Sequence, residues 1–134
     1  MTSMMLPDSI ATAKASLSGL VYDQSFVNDE AARDRFAARL SANDGVTVRS
    51  ILGSLPSSTE WLNRKLQSIT IPALIVWGSE DRLVPLAHGR EFAAGMPNAR
   101  LVEIEKCGHA PLVERPADFL AAIRDFLHVR QQPR

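Results

Sequence analysis

The spacing of apolar and polar residues along the chain changes near Ser68. Before that residue, apolar positions recur every three or four residues, which is typical of amphipathic helices. After it, short apolar runs alternate with helical stretches in the order strand, loop, helix, strand, loop, helix. The pattern predicts a helical segment over residues 1–68, a β-α-β-α unit over 69–130 and a frayed tail over 131–134.

One helix of the first segment is marked by its capping residue, Asn28. Asp29 and Glu30 follow, and their negative charges suit the positive end of the helix dipole. The helix is predicted to run to about Leu40. Phe36 and Leu40 fall one turn apart while charged residues occupy the other faces, so we expect an amphipathic helix.

Three further helices are predicted in the same segment. One is capped by Asp8 or Ser9, and a weaker one covers residues 46–55. Ser57 and Glu60 have the spacing of a capping box, which predicts that another helix begins there.

The second segment contains two predicted strands, over residues 71–77 and 101–105, each followed by a helix, over 86–96 and 116–129. Two parallel strands joined by a helical crossover indicate an α/β fold, in which helices cover the sheet. A parallel sheet normally contains several strands. This unit alone should therefore leave an unpaired strand edge and an exposed apolar face.

Each predicted strand leads through a glycine to a residue that can hold or move a proton. Gly78 precedes Asp81, and Gly108 precedes His109, so both side chains should lie at the carboxyl ends of parallel strands, where α/β sheets place ligands. A carboxylate beside an imidazole can fix its tautomer and stabilise its protonated form. The spacing predicts that Asp81 and His109 act as the acid and base of a hydrolytic site.

Either residue alone has a simpler interpretation. Asp81 can form a turn and pair with Arg82, and His109 can be a loop histidine bound to backbone groups. Their matching positions after successive strands favour the acid and base interpretation for the pair. Glu80 is a weaker candidate for the acid.

Four other reactive side chains are assigned structural roles. His88 and His128 fall on predicted helices, and Cys107 is expected to be a small packing residue because no second histidine is placed to activate it. Glu114 is expected to support the loop after His109.

The nucleophile of such a site is not found in the sequence. A serine of this kind lies in a G-x-S-x-G turn, upstream of the acid and the histidine. None of the seven glycines has that spacing, and Gly53-Ser54 is followed by Leu55 and Pro56. We therefore expect that the half of the sheet that carries the serine is missing and that this chain alone is inactive.

Composition excludes several classes of function. The 134 residues, 46% hydrophobic, are enough for an ordinary globular core. Fifteen basic and fifteen acidic side chains balance without charge runs, which argues against nucleic-acid binding. One cysteine and the lack of a signal peptide or of about 20 consecutive apolar residues predict a cytoplasmic protein that does not enter membranes.

Two motifs connect the chain to a known family. The runs P-x-L-x-V-x-G-x-x-D-x-x-V-P from Pro72 and C-G-H-A-P-x-x-E-x-P-x-x-F from Cys107 resemble the C-terminal part of alpha/beta-hydrolase-fold enzymes. Residues 20–35, with Leu-Val-Tyr-Asp-Gln-Ser at their start, resemble the helical lid of meta-cleavage-product hydrolases. Those enzymes split a carbon-carbon bond in diketo acids from aromatic-ring breakdown.

The resemblance implies a partial alpha/beta-hydrolase fold, with a helical lid followed by the end of the core. It makes Asp81 the acid, His109 the base and Arg35 the lid residue that binds the substrate carboxylate. Without it, Arg35 is interpreted as a solvated helix residue paired with Asp34 or Glu30. Ala110 departs from the tryptophan of several such enzymes, and neither a metal nor an organic cofactor is implied.

Three hypotheses follow. The first is a portion of a carbon-carbon bond hydrolase, completed by an N-terminal half and acting on a small-molecule substrate. The second is a non-catalytic module that forms a homodimer or binds a partner through its exposed strand edge. The third is a fragment resembling an esterase or an epoxide hydrolase, since these share much of the C-terminal pattern.

Overall fold

The computed structural model describes residues 6–43, 45–54 and 62–131. The chain divides into two compact units. The first consists of residues 1–20 and 24–60, and the second of residues 21–23 and 61–134. The predicted capping box at Ser57 and Glu60 lies outside the described residues.

The described part of the first unit is helical. It contains α1 (Ile10–Leu20), a 3₁₀ turn (Gln24–Phe26), α2 (Asp29–Ala42) and α3 (Gly45–Ser54). The prediction that Asn28 caps α2 is confirmed, because its side chain accepts a hydrogen bond from the Ala31 N–H at 2.9 Å. Ser9 caps α1 through a 3.2 Å bond from the Thr12 N–H to its hydroxyl.

Helices α1 and α2 pack through small side chains. The buried residues are Ala13 and Ser16 on α1 and Ala32 on α2. Small side chains let two helix backbones approach closely. Leu40, which the periodicity placed with Phe36, is 65% exposed, because it lies about two turns beyond Ala32 and its contact with α1. The helix is therefore only weakly amphipathic.

The second unit contains the predicted β-α-β-α order. A 3₁₀ segment (Leu62–Ser68) leads to β1 (Ala73–Gly78), α4 (Leu86–Gly95), β2 (Ala99–Ile104), a short α5 (Pro111–Glu114) and α6 (Pro116–Gln131). The strands are parallel, and their register runs from Ala73 opposite Ala99 to Gly78 opposite Ile104. The predicted α/β class is confirmed.

The strand bounds differ from the prediction at their first residues. β1 begins after Pro72, because proline has no N–H to donate to the ladder. β2 begins at Ala99 rather than at residue 101, because pairing with the start of β1 extends it. The short helix α5 was not predicted, since four residues are too few to show a helical period.

Helices α4 and α6 both pack against the two strands. The buried apolar residues of this unit include Leu66, Ile104, Cys107 and Ala122. Leu112 and Val113 on α5 remain more than half exposed. Over the residues that the structure describes, no helix is both long and apolar enough to cross a membrane.

Candidate active site

The two strands bring the predicted acid and base to one edge of the sheet. Because β1 and β2 are parallel and end in register, the loops that follow them leave the sheet together. Backbone bonds tie these loops: the Ser79 N–H donates to the Ile104 carbonyl and the Glu80 N–H to the Cys107 carbonyl, each at 2.9 Å.

Gly78, the last residue of β1, allows this close approach. A Cβ atom added there would lie 2.1 Å from the carbonyl oxygen of Gly108 and 2.4 Å from that of Cys107. The glycine was predicted to permit a sharp exit from the strand. None of the described glycines has a positive φ, so Gly78 is required for space and not for an unusual backbone conformation.

Asp81 is fixed through both of its carboxylate oxygens. Oδ1 accepts hydrogen bonds from the N–H groups of Leu83 and Val84, each at 2.9 Å. Oδ2 lies 2.8 Å from His109 Nδ1. The side chain is only 4% exposed. The turn predicted as an alternative role is therefore formed by one oxygen, while the other contacts the histidine, and the contact belongs to Asp81 rather than to Glu80.

The contact with Asp81 determines which ring nitrogen of His109 carries the hydrogen. An ionised carboxylate only accepts, so Nδ1 donates, and in the neutral imidazole Nε2 then carries the lone pair. The His109 side chain is 40% exposed, and none of the described residues forms a hydrogen bond with Nε2. Nε2 can therefore accept a proton from an incoming group.

A small cavity of about 120 Å³ adjoins the pair. It is lined by Val76, Trp77, Gly78, Asp81, His109 and Pro111. The Trp77 indole N–H donates to the Val84 carbonyl at 3.0 Å, which fixes the ring in the wall. No pattern in the sequence assigned Trp77 to the site; the available signal was its position four residues before Asp81.

Cys107 is completely buried, as the packing interpretation predicted. Burial, together with the nearby negative charge of Glu114, raises the pKa of its thiol to about 11. The thiol is therefore protonated at neutral pH and cannot serve as a nucleophile.

Glu114, at the end of α5, accepts a hydrogen bond from the Gly108 N–H at 2.8 Å. Glu114 was predicted to support the loop after His109, whereas this bond holds the residue directly before the histidine. Glu114 Oε2 also accepts from the Tyr22 N–H at 2.6 Å and the Asp23 N–H at 3.1 Å. No sequence pattern predicts these bonds, because Tyr22 lies 92 positions away from Glu114.

Arg35 lies on α2 in the first unit. Its guanidinium donates to the Ser16 hydroxyl through Nε at 3.1 Å and Nη2 at 2.9 Å. Partial burial lowers the pKa of the guanidinium. Two N–H donors of the planar fork thus converge on the Ser16 hydroxyl oxygen.

The other titratable candidates stay outside the Asp81 and His109 pair. His88 is exposed on α4, with Nδ1 3.6 Å from Glu91, and His128 is exposed on α6. Among the described residues, no three His, Cys, Asp or Glu side chains are grouped in a way that would hold a metal ion.

A model of the alpha/beta hydrolase family matches residues 4–123. The 2-hydroxy-6-oxononadienedioate/2-hydroxy-6-oxononatrienedioate hydrolase of Cupriavidus pinatubonensis is 33% identical over 121 residues, which are 89% of this chain and 42% of that protein. The 2-hydroxy-6-oxo-6-phenylhexa-2,4-dienoate hydrolase of Burkholderia cepacia is 34% identical with the same coverage. This chain thus spans about two fifths of the length of these relatives.

Solved structures show the same fold. A mutant of the meta-cleavage product hydrolase CumD gives a TM-score of 0.78 at 24% identity, over 90% of this chain and 46% of that one. The 2-hydroxy-6-oxo-6-phenylhexa-2,4-dienoate hydrolase of Rhodococcus sp. strain RHA1 gives 0.77 at 20% identity, over 95% and 47%. The chain therefore adopts part of this fold, as its motifs implied.

Proposed function

Because this chain belongs to the alpha/beta hydrolase family, we propose that Asp81 and His109 are the acid and the base of a hydrolytic site. The observation that carries the proposal is the 2.8 Å contact between His109 Nδ1 and Asp81 Oδ2. The carboxylate is buried, and its second oxygen is held by two backbone N–H groups. Such a carboxylate holds an imidazole in one orientation and one tautomer.

The proposed proton path runs through His109 Nε2. This nitrogen removes the proton of an attacking hydroxyl, and the resulting imidazolium is stabilised by the negative charge of Asp81. Nε2 then returns the proton to the leaving group. Asp81 keeps its charge throughout and acts by orientation and electrostatic stabilisation.

The hydroxyl and the oxyanion-binding amides are proposed to come from residues outside these 134. The sequence contains no G-x-S-x-G turn. A preceding N-terminal half, in the same or in a separate polypeptide, would complete the site. We expect this chain by itself to lack turnover, because oxyanion stabilisation is among the largest contributions to catalysis.

The proposed substrate is a meta-cleavage product, hydrolysed at a carbon-carbon bond. The support is the identity of at least 33% to relatives named as hydrolases of 2-hydroxy-6-oxo dienoates. In this proposal residues 1–68 form the lid, and Arg35 binds the substrate carboxylate through its fork of N–H donors. Ester hydrolysis is the competing activity and belongs in the same assay.

The test is a chimera in which the N-terminal portion of the Cupriavidus relative, up to its match with this chain, is fused ahead of Met1. The folded chimera is assayed with a 2-hydroxy-6-oxo dienoate and with nitrophenyl esters. We expect turnover of the dienoate and a loss of about 10³-fold or more in His109→Ala. An ester-only activity would contradict the carbon-carbon assignment.

His88→Ala is the matched control, since this exposed histidine lies on α4 and is paired with Glu91. It should retain the activity of the unmodified chimera. A folded chimera without turnover, or turnover that survives His109→Ala, would contradict the proposed roles of the pair.

A binding module is the second candidate, favoured by the exposed apolar side chains of Leu112, Val113, Leu120 and Leu127. Two copies, or this chain and a complementing half, would cover such a surface. Light scattering after size exclusion tests this candidate. A monodisperse monomer at high concentration would eliminate the homodimer.

A further inference from the structure

Glu114 is a buried carboxylate that connects two distant parts of the chain. Its residue surface is 8% exposed. Oε1 accepts from the Gly108 N–H at 2.8 Å, and Oε2 accepts from the N–H groups of Tyr22 and Asp23 at 2.6 and 3.1 Å. All four residues belong to the second unit.

The charge of this side chain is compensated by main-chain donors. Apart from the Cys107 thiol at 3.9 Å, its hydrogen-bond partners in the described chain are these three N–H groups, and no lysine or arginine there forms an ion pair with it. Burying a carboxylate is costly unless donors surround it. Each of the three N–H groups therefore stabilises the buried carboxylate of Glu114.

The bond to Gly108 acts on the residue directly before His109. On its other side, the Cys107 carbonyl accepts from the Glu80 N–H, which precedes Asp81. The peptide units leading into the histidine are thus held by the Asp81 loop and by Glu114 together. A shift of Gly108 would change the 2.8 Å contact between His109 and Asp81.

We propose that Glu114 is a positioning residue for His109, and that its carboxylate clamps the backbone of Tyr22 and Asp23 to the His109 loop. This inference rests on the proposed function of His109. In sequence, residues 22 and 23 lie between α1 and the 3₁₀ turn that leads to α2. The clamp therefore makes the placement of the base depend on the backbone between α1 and the 3₁₀ turn.

Glu114→Gln tests the clamp in the 134-residue chain, because it keeps the volume and leaves only one acceptor oxygen. The amide NH₂ must then face an N–H at one end of the clamp. We expect amide exchange about tenfold or more faster at Gly108, or at Tyr22 and Asp23. We also expect a shifted His109 imidazole resonance in the NMR spectrum.

Glu105→Gln is the matched control, since Glu105 is exposed and follows β2 directly. It should change neither measurement. Tyr22→Phe is a second control, because it alters a side chain and keeps the N–H that Glu114 binds. Glu114→Asp keeps the charge but is too short to reach both segments, so it should release one of them.

Two results would overturn the inference. One is wild-type exchange at all three amides in Glu114→Gln; the other is altered exchange with an unchanged His109 resonance, which would leave Glu114 with a purely structural role. If Glu114→Gln does not fold, amide exchange in the wild-type chain still tests the clamp. Unprotected amides at Tyr22 and Asp23 in the wild type would contradict it. These measurements need no turnover, so they stand apart from the assay of the chimera, in which Glu114→Gln should lower kcat with little effect on KM.

Discussion

Replacing Gly78 with alanine tests the packing that brings the acid and base together. The new Cβ would lie 2.1 Å from the Gly108 oxygen, where ordinary contacts begin near 3.4 Å. The obstructing atoms are backbone, so the His109 loop must move by about 1 Å. Overpacking of this kind costs about 3 kcal/mol, which lowers Tm by about 10 °C in a domain of this size.

The displacement should also reach the candidate site. A shift of about 1 Å takes the 2.8 Å contact between His109 and Asp81 beyond hydrogen-bonding distance. We expect the Nδ1 proton resonance of His109 to weaken or disappear, and the turnover of the chimera to fall about 10²-fold. Thermal unfolding followed by circular dichroism and proton NMR measure the two effects.

Gly53→Ala is the control for this substitution. Gly53 lies in α3, and an added Cβ meets nothing within 4 Å. Alanine is the better helix former by roughly 0.5–1 kcal/mol, so Tm should stay the same or rise. A Gly78→Ala variant that melts within about 2 °C of the wild type and keeps the His109 resonance would show that the close packing at Gly78 does not hold the two loops together.

Two further predictions concern Cys107 and Asn28. The folded thiol has a pKa raised to about 11 from 9.0, so its contribution to stability is fully present below pH 9 and is lost as pH rises from 9 to 11. Between pH 8 and pH 10, urea unfolding should show a larger loss of unfolding free energy for the wild type than for Cys107→Ala. Equal losses in the two proteins would contradict the raised pKa of the thiol. Asn28→Ala removes the cap of α2 and should cost about 1 kcal/mol of unfolding free energy, whereas Asn28→Ser should cost little; equal stability of the two variants would show that the cap is not stabilising.

The sequence was most informative where structure depends on neighbouring residues. Asn28 is recognised as a cap from the residues that follow it, and the strands from apolar runs that end at Gly78 and before Gly108. The placement of Asp81 beside His109 followed from one topological rule, that parallel strands joined by a crossover end at the same edge. These inferences needed only local pattern and chain order.

Features that depend on distant contacts did not follow from the sequence. The exposure of Leu40 depends on where α1 and α2 touch, and helical periodicity contains no such information. The bond between Glu114 and Tyr22 joins residues 92 positions apart. Its donor is a main-chain N–H, so the residue type at position 22 does not indicate the bond. Gly78 was recognised, but the Gly108 carbonyl oxygen that would lie 2.1 Å from an added Cβ was not.

The use of main-chain N–H groups by Glu114 has a consequence for how such sequences diverge. Any residue except proline supplies the donor, so positions 22 and 23 are free to change in side chain as far as this contact is concerned. What the contact constrains is the number of residues in this stretch. An insertion or deletion between Leu20 and Gln24 would move different amides to the carboxylate, so this stretch should tolerate substitution far better than a change in the number of residues.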